Sequence, residues 1–67
     1  FEVGVPEGWI GKSVGELDIR RKFGINILGI KHAGKTDVSI MPDTILSSDV
    51  SILVLGEYKM LQKCFRI

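Results

Sequence analysis

The 67-residue sequence predicts a small α+β domain that runs strand, helix, three strands and a closing helix, with a mixed or antiparallel sheet. Three observations predict it. Phe1, Val3 and Val5 alternate with Glu2 and Gly4, and apolar runs occupy residues 25–30 and 50–55, both of which are strand patterns. Ser13 and Glu16 stand at the spacing of a capping box, the mark of a helix start. Tyr58, Leu61, Cys64 and Phe65 recur at helical spacing near the end of the chain.

Taken in order, the first strand ends at Pro6, which cannot donate a backbone hydrogen bond. Gly8 to Gly11 form a turn that holds Trp9 and Ile10. A helix starts at Ser13, and its apolar positions Val14, Leu17, Ile19 and Phe23 slip in phase between Leu17 and Ile19. A kink or short break near Asp18 follows. Arg20, Arg21 and Lys22 complement the carbonyl end of the helix dipole, and Gly24 stops the helix in a left-handed conformation. Residues 25–30 are the next strand, with Ile25 and Ile27 on one face and Leu28 and Ile30 on the other, so both faces call for burial. Asn26 interrupts this run. An unpaired buried amide costs about 1–3 kcal/mol, so Asn26 needs a partner.

His32, Ala33, Gly34 and Lys35 supply a hairpin loop. Residues 36–41 are the returning strand, with Val38 and Ile40 on one face and Asp37 and Ser39 on a wet one. Pro42 and Asp43 make a turn, and residues 44–49 form an irregular connection that tucks Ile45 and Leu46 under the core. Residues 50–55, the most apolar run, form a central strand. Gly56 and Glu57 open the closing helix.

Composition bounds the function. A fold of this size buries only about 60% of the surface of its unfolded chain. With 45% hydrophobic residues, self-association is expected to cover an apolar patch. The alternative is that the excess faces another domain of a longer chain, which the start at Phe1 allows. A net charge of +1 argues against nucleic acid or anionic lipid as partner. The single Cys64 forms no internal disulfide and belongs to no zinc pattern, which points to the cytosol. No apolar run approaches the roughly 20 residues of a membrane helix and no signal peptide is evident, so direct membrane insertion is not expected.

The residues offer no catalytic set. His32, the only histidine, falls in a loop, and Cys64 sits on an apolar stripe as a core residue does. Gly24 and Gly29 make no dinucleotide fingerprint, because no phosphate-binding helix follows them. An enzyme is therefore not expected. The basic turn at Arg20, Arg21 and Lys22 has two readings. It holds a phosphate, for which the planar guanidinium is suited, or it only caps the helix dipole. Arg20 and Asn26 lie on either side of the glycine turn, where they can converge on one anion.

Further residues carry a family resemblance over essentially the whole chain. They are Val5-Pro6, Gly11-Lys12-Ser13-Val14 with Glu16-Leu17, Ile19-Arg20 before Gly24-Ile25, Ile30, Pro42-Asp43, Ile45-Leu46, Asp49 and Val54-Leu55-Gly56. The sequence resembles the RCK_C (TrkA-C) regulatory domain of proteins that control potassium conductance. It is most like the Ktr type, the cytosolic gating subunit of bacterial potassium uptake systems. The resemblance implies a homodimeric α+β domain, residues 1–67, preceded in the full subunit by a nucleotide-binding Rossmann domain. It also implies a cytoplasmic place beside a membrane potassium-translocating subunit.

Some members of the Ktr type bind cyclic di-AMP at the two-fold interface. The resemblance places Asp18, Arg20, Asn26 and Pro42 at the polar and proline contacts of that pocket, with Ile25 and Ile27 as its apolar wall and Val14 beside them. At Val14 and Gly15 the chain carries smaller side chains than binders of this type. A pocket histidine of the family falls near Lys35 rather than on His32. Two functions are thus expected: a cyclic di-AMP sensor that regulates potassium uptake, or a structural dimerisation module with no nucleotide ligand.

Overall fold

The computed structural model describes residues 1–65. Its elements are β1 (Glu2–Gly4), a 3₁₀ turn (Glu7–Trp9), α1 (Val14–Leu17), α2 (Ile19–Phe23), β2 (Asn26–His32), β3 (Lys35–Asp37), β4 (Ser51–Leu55) and α3 (Tyr58–Phe65). The expected α+β class is the observed one, and the sheet is antiparallel throughout. Its order is β1-β4-β2-β3, so the most apolar run is indeed an inner strand.

The helices cover one face of the sheet. Ile52 and Val54 point into a core with Trp9, Ile19, Ile25, Leu46 and Leu61, while the opposite face carries a polar network. There Ser51 donates to Glu2 at 2.9 Å and Lys31 Nζ lies 3.6 Å from the same carboxylate.

The capping box forms as the sequence predicts. The Ser13 amide donates to Glu16 Oε1 at 2.8 Å, and the Glu16 amide donates to Ser13 Oγ at 3.1 Å. The phase slip at Asp18 is a break between two short helices. Asp18 adopts φ 50° and ψ 44°, closing α1 and opening α2 in a left-handed conformation that aspartate tolerates better than most residues. Gly24 ends α2 at φ 65°, with its amide donating to Arg20 O at 2.9 Å.

Several expectations are corrected. The two-sided burial of residues 25–30 does not occur, because a β-bulge lies between Ile27 and Gly29. Ile27 pairs with Val54 and Ile30 with Ile52, so one extra residue on β2 is absorbed. Both isoleucines therefore pack on the core and Leu28 is turned out to 51% exposure. Asn26 is exposed, so its amide is open to solvent and no buried partner is required.

The returning strand is only three residues long. From Val38 onward the chain leaves β2, and Val38 itself is 72% exposed. Leu46 is fully buried but Ile45 is not, because adjacent residues of an extended segment point opposite ways and Leu46 takes the inward side. In α3, Leu61 is buried and Cys64 and Phe65 pack against the core, whereas Tyr58 stays exposed and its ring pairs with Phe1.

Candidate functional site

Two segments far apart in sequence are laced together beside the broken helix. Gly11 donates to Leu46 O at 2.8 Å, Leu46 to Lys12 O at 3.0 Å, Val14 to Thr44 O at 2.9 Å and Gly15 to Pro42 O at 2.7 Å. The turn at Pro42 is itself closed on both sides. Thr44 donates its amide to Met41 O, and the Met41 amide donates to Thr44 Oγ1, each at 3.0 Å. Proline's fixed φ adds stiffness to this rim.

Gly15 is what allows the close approach. A Cβ there would lie 2.8 Å from the Pro42 carbonyl oxygen and 3.1 Å from its Cβ, so any side chain would push the two segments apart.

Between the Pro42 turn, the helix break and the start of β2 lies a groove of about 320 Å³. Six of the seven residues that the sequence nominates line it: Val14, Arg20, Ile25, Asn26, Ile27 and Pro42. Its floor is apolar, with Ile19 and Ile25 almost fully buried. Arg20 supplies its cation and Asn26 its amide, brought together because Gly24 reverses the chain between them. Arg20 and Asn26 are both exposed to whatever enters.

Asp18, the seventh, does not line the groove. Its carboxylate Oδ2 accepts from Arg21 Nε at 2.7 Å. Ile40 and Met41 line it instead, and sequence reasoning missed them by assigning both to a returning strand. The available signal was Pro42 itself, since the residue before a proline is driven to extended backbone beside a turn.

His32 and Lys35 belong to a second, larger cavity of about 620 Å³, between the β2–β3 hairpin and residues 44–50. Two of its ionisable side chains are engaged with each other. His32 Nε2 lies 3.0 Å from Asp49 Oδ2, and the Ser47 hydroxyl donates to the other Asp49 oxygen. The Ser47 hydroxyl first, then the backbone amide of Asp49 and the His32 ring, hold the Asp49 carboxyl below its ordinary range. Cys64 lies elsewhere, and burial pushes its thiol above the usual value. Among the described residues no three His, Cys, Asp or Glu side chains converge as metal ligands do, and no helix is long and apolar enough to cross a membrane.

A two-layer antiparallel domain with a hydrogen-bonded proline turn closing over a broken helix defines a recognisable class. Residues 1–67 match the model of the TrkA-C domain, and the chain belongs to that family. Its relatives include the uncharacterized transporter YfbS of Escherichia coli (strain K12), 37% identical over 59 residues, and the Ktr system potassium uptake protein A of Bacillus subtilis (strain 168), 33% identical over 52 residues. These alignments cover 85% and 78% of the chain, but only 10% and 23% of the two relatives.

Among solved structures, the RCK C domain of the potassium transport protein KtrA in complex with cyclic diadenosine monophosphate superposes with a TM-score of 0.84. It is 30% identical, over 94% of this chain and 74% of that one. The RCK_C domain dimer of Streptococcus agalactiae BusR, also in complex with c-di-AMP, gives 0.80 at 30% identity, over 98% and 93%. BusR has further been solved in complex with its busAB-promotor DNA, in a chain of which this sequence covers 35%. The resemblance read from the residues to Ktr-type regulators is thus matched by sequence and by fold.

Proposed function

We propose that this chain is a non-enzymatic regulatory domain that binds cyclic di-AMP across a homodimer interface and so controls potassium uptake by a membrane transporter. The observation that carries this is the groove itself, in which Arg20, Asn26 and Pro42 share one rim above Ile25 and Ile27. The chemistry suits the ligand. A planar guanidinium matches phosphate oxygens, an apolar floor takes an adenine ring, and a stiff proline wall holds its shape at little entropic cost.

Size supports a shared site. Ligand pockets span roughly 300–1,000 Å³, and a groove of about 320 Å³ suffices for only part of a dinucleotide. Two grooves related by a two-fold axis give two apolar slots and two arginines, in agreement with the symmetry of a ligand that has two adenines and two phosphates. The complexes of KtrA and BusR with the same compound add weight. The full protein is proposed to be longer, with a nucleotide-binding Rossmann domain ahead of this one, and to act at the cytoplasmic side of the membrane. No nucleic-acid role is assigned to this domain, whose net charge is +1.

One observation favours the structural rival. The Asp18–Arg21 ion pair takes part of the basic turn out of play, as a simple helix terminus would. Calorimetric titration of the purified domain with cyclic di-AMP separates the two. Saturable binding at one ligand per two chains is expected, and no heat at millimolar ligand would leave the dimerisation module as the function.

A further inference from the structure

On the helical side of the molecule, away from the nucleotide groove, α2 and α3 frame a separate cavity of about 460 Å³ lined by Trp9, Lys22, Phe23, Met60, Lys63 and Cys64. Its apolar part is rigid. The Trp9 ring stacks on Phe23 at 6.0 Å between centroids and meets Phe65 edge-on at 5.3 Å, so the indole is fixed from two sides. Met60 forms an adaptable wall, since an unbranched thioether fits apolar partners of varied shape.

The charges of this cavity are of one sign. Lys22 and Lys63, from different helices, flank it, and no acidic side chain lines it. Among the described residues neither lysine forms a salt bridge. Two other grooves mix signs, one combining His32 and Lys35 with Asp37 and Asp49 and another, which shares Lys63, containing Glu7, whereas the Arg20 groove has a single cation and this cavity has two. Both lysines stand near helix ends, where they serve the dipoles. That accounts for their charge but not for the half-buried Phe23 ring and Met60 thioether left between them, with the buried Trp9 ring beneath.

We propose that this cavity is a docking site for an acidic amphipathic segment of a partner protein, which would insert one large apolar side chain over Phe23 and Met60, against the edge of Trp9, and set carboxylates against Lys22 and Lys63. A peptide fits better than a simple anionic lipid because the two lysines come from separate elements on either side of the apolar floor. That arrangement calls for acids flanking an apolar anchor on both sides rather than one headgroup at a chain end.

Trp9 is the only tryptophan in the chain and lines this cavity, so its fluorescence reports on events there. The domain is titrated with a short amphipathic peptide of Glu and Leu, with its counterpart in which every Glu is Lys, and with decanoate. A saturable change of Trp9 emission by the Glu peptide only is expected, weakening as salt rises. The Lys22→Glu, Lys63→Glu double variant should weaken it at least about tenfold, and Arg20→Ala, in the other groove, should leave it unchanged. The charge-neutral Lys22→Gln, Lys63→Gln variant, checked for folding by circular dichroism, serves if the double reversal is unstable, and should also lose affinity. No emission change with the Glu peptide, equal binding of the Lys peptide, or saturation by decanoate alone would each overturn the proposal.

Discussion

Arg20 and Arg21 are neighbours with different employment, and the difference ranks them as ligand contacts. Arg21 is tied to Asp18, while Arg20 lines the groove beside Asn26. A hydrogen bond to a charged group contributes roughly 1.5–3 kcal/mol, so Arg20→Ala should weaken cyclic di-AMP binding about tenfold to a hundredfold. Arg21→Ala should change it little. Because a phosphate contact is screened, wild-type affinity should fall between low and high salt, and the fall should flatten in the Arg20 variant. Calorimetry at two salt concentrations reads both effects, and equal affinity of Arg20→Ala and wild type at low salt would reduce the basic turn to a dipole cap.

The pairing of Arg20 with Asn26 was legible from Gly24 between them. The removal of Asp18 from the groove was not, since a phase slip reveals a helix break but not which way the aspartate side chain then points. Cys64 offers a separate check at this scale. With its thiol pushed up from 9.0 by burial, the folded state favours the protonated form. Stability from this group is full below pH 9.0 and is lost as pH rises through the folded value. Iodoacetamide at pH 8 should therefore alkylate folded Cys64 more slowly than the urea-unfolded chain, and equal rates would place the thiol in water.

At the scale of elements, the sequence specified strands by period and turns by glycine and proline, and it failed where the period was broken on purpose. The bulge in β2 lets Ile27 and Ile30 share a face that strict alternation forbids, and Gly29 makes room for it. A Cβ on Gly29 would stand 3.1 Å from Thr36 Cγ2 and 3.3 Å from Asp37 O. Nothing in hydrophobicity alone marks which residue of Ile-Leu-Gly-Ile is the extra one. β3 was overestimated for a related reason, since Val38 and Ile40 carry strand periodicity but find no neighbouring strand to pair with.

The hairpin between β2 and β3 is strained in a testable way. Ala33 at φ 52° and Gly34 at φ 79° form the tight two-residue turn for which Asn-Gly is the preferred sequence. Ala33→Asn should raise stability by about 0.5–1 kcal/mol, read as a higher urea midpoint with unchanged slope. A lower midpoint would show that the left-handed alanine carries no penalty here.

For the molecule as a whole, the composition had already demanded a covered surface, and the structure shows where apolar side chains remain in water. Leu28, Val38, Met41 and Ile45 are each more than half exposed. A dimer that covers such residues should bury about 1,200 Å² or more in total. Light scattering at micromolar concentration is expected to give twice the 7.4 kDa chain mass, and a monomeric mass would remove the shared site with the dimer.

The lacing of residues 11–15 to residues 42–46 makes the rim and the hydrophobic centre one cooperative unit. Two of its four bonds are made by Leu46, which is wholly enclosed, and the other two by Thr44 and Pro42, so the Pro42 rim is continuous with a core side chain. In hydrogen–deuterium exchange the amides of Gly11, Val14, Gly15 and Leu46 should open together, with a single protection factor rather than a gradient from the rim inward. An effector seated against Pro42 would then slow exchange at Leu46, a site it never touches, and the exchange clock of the interior would report occupancy of the surface.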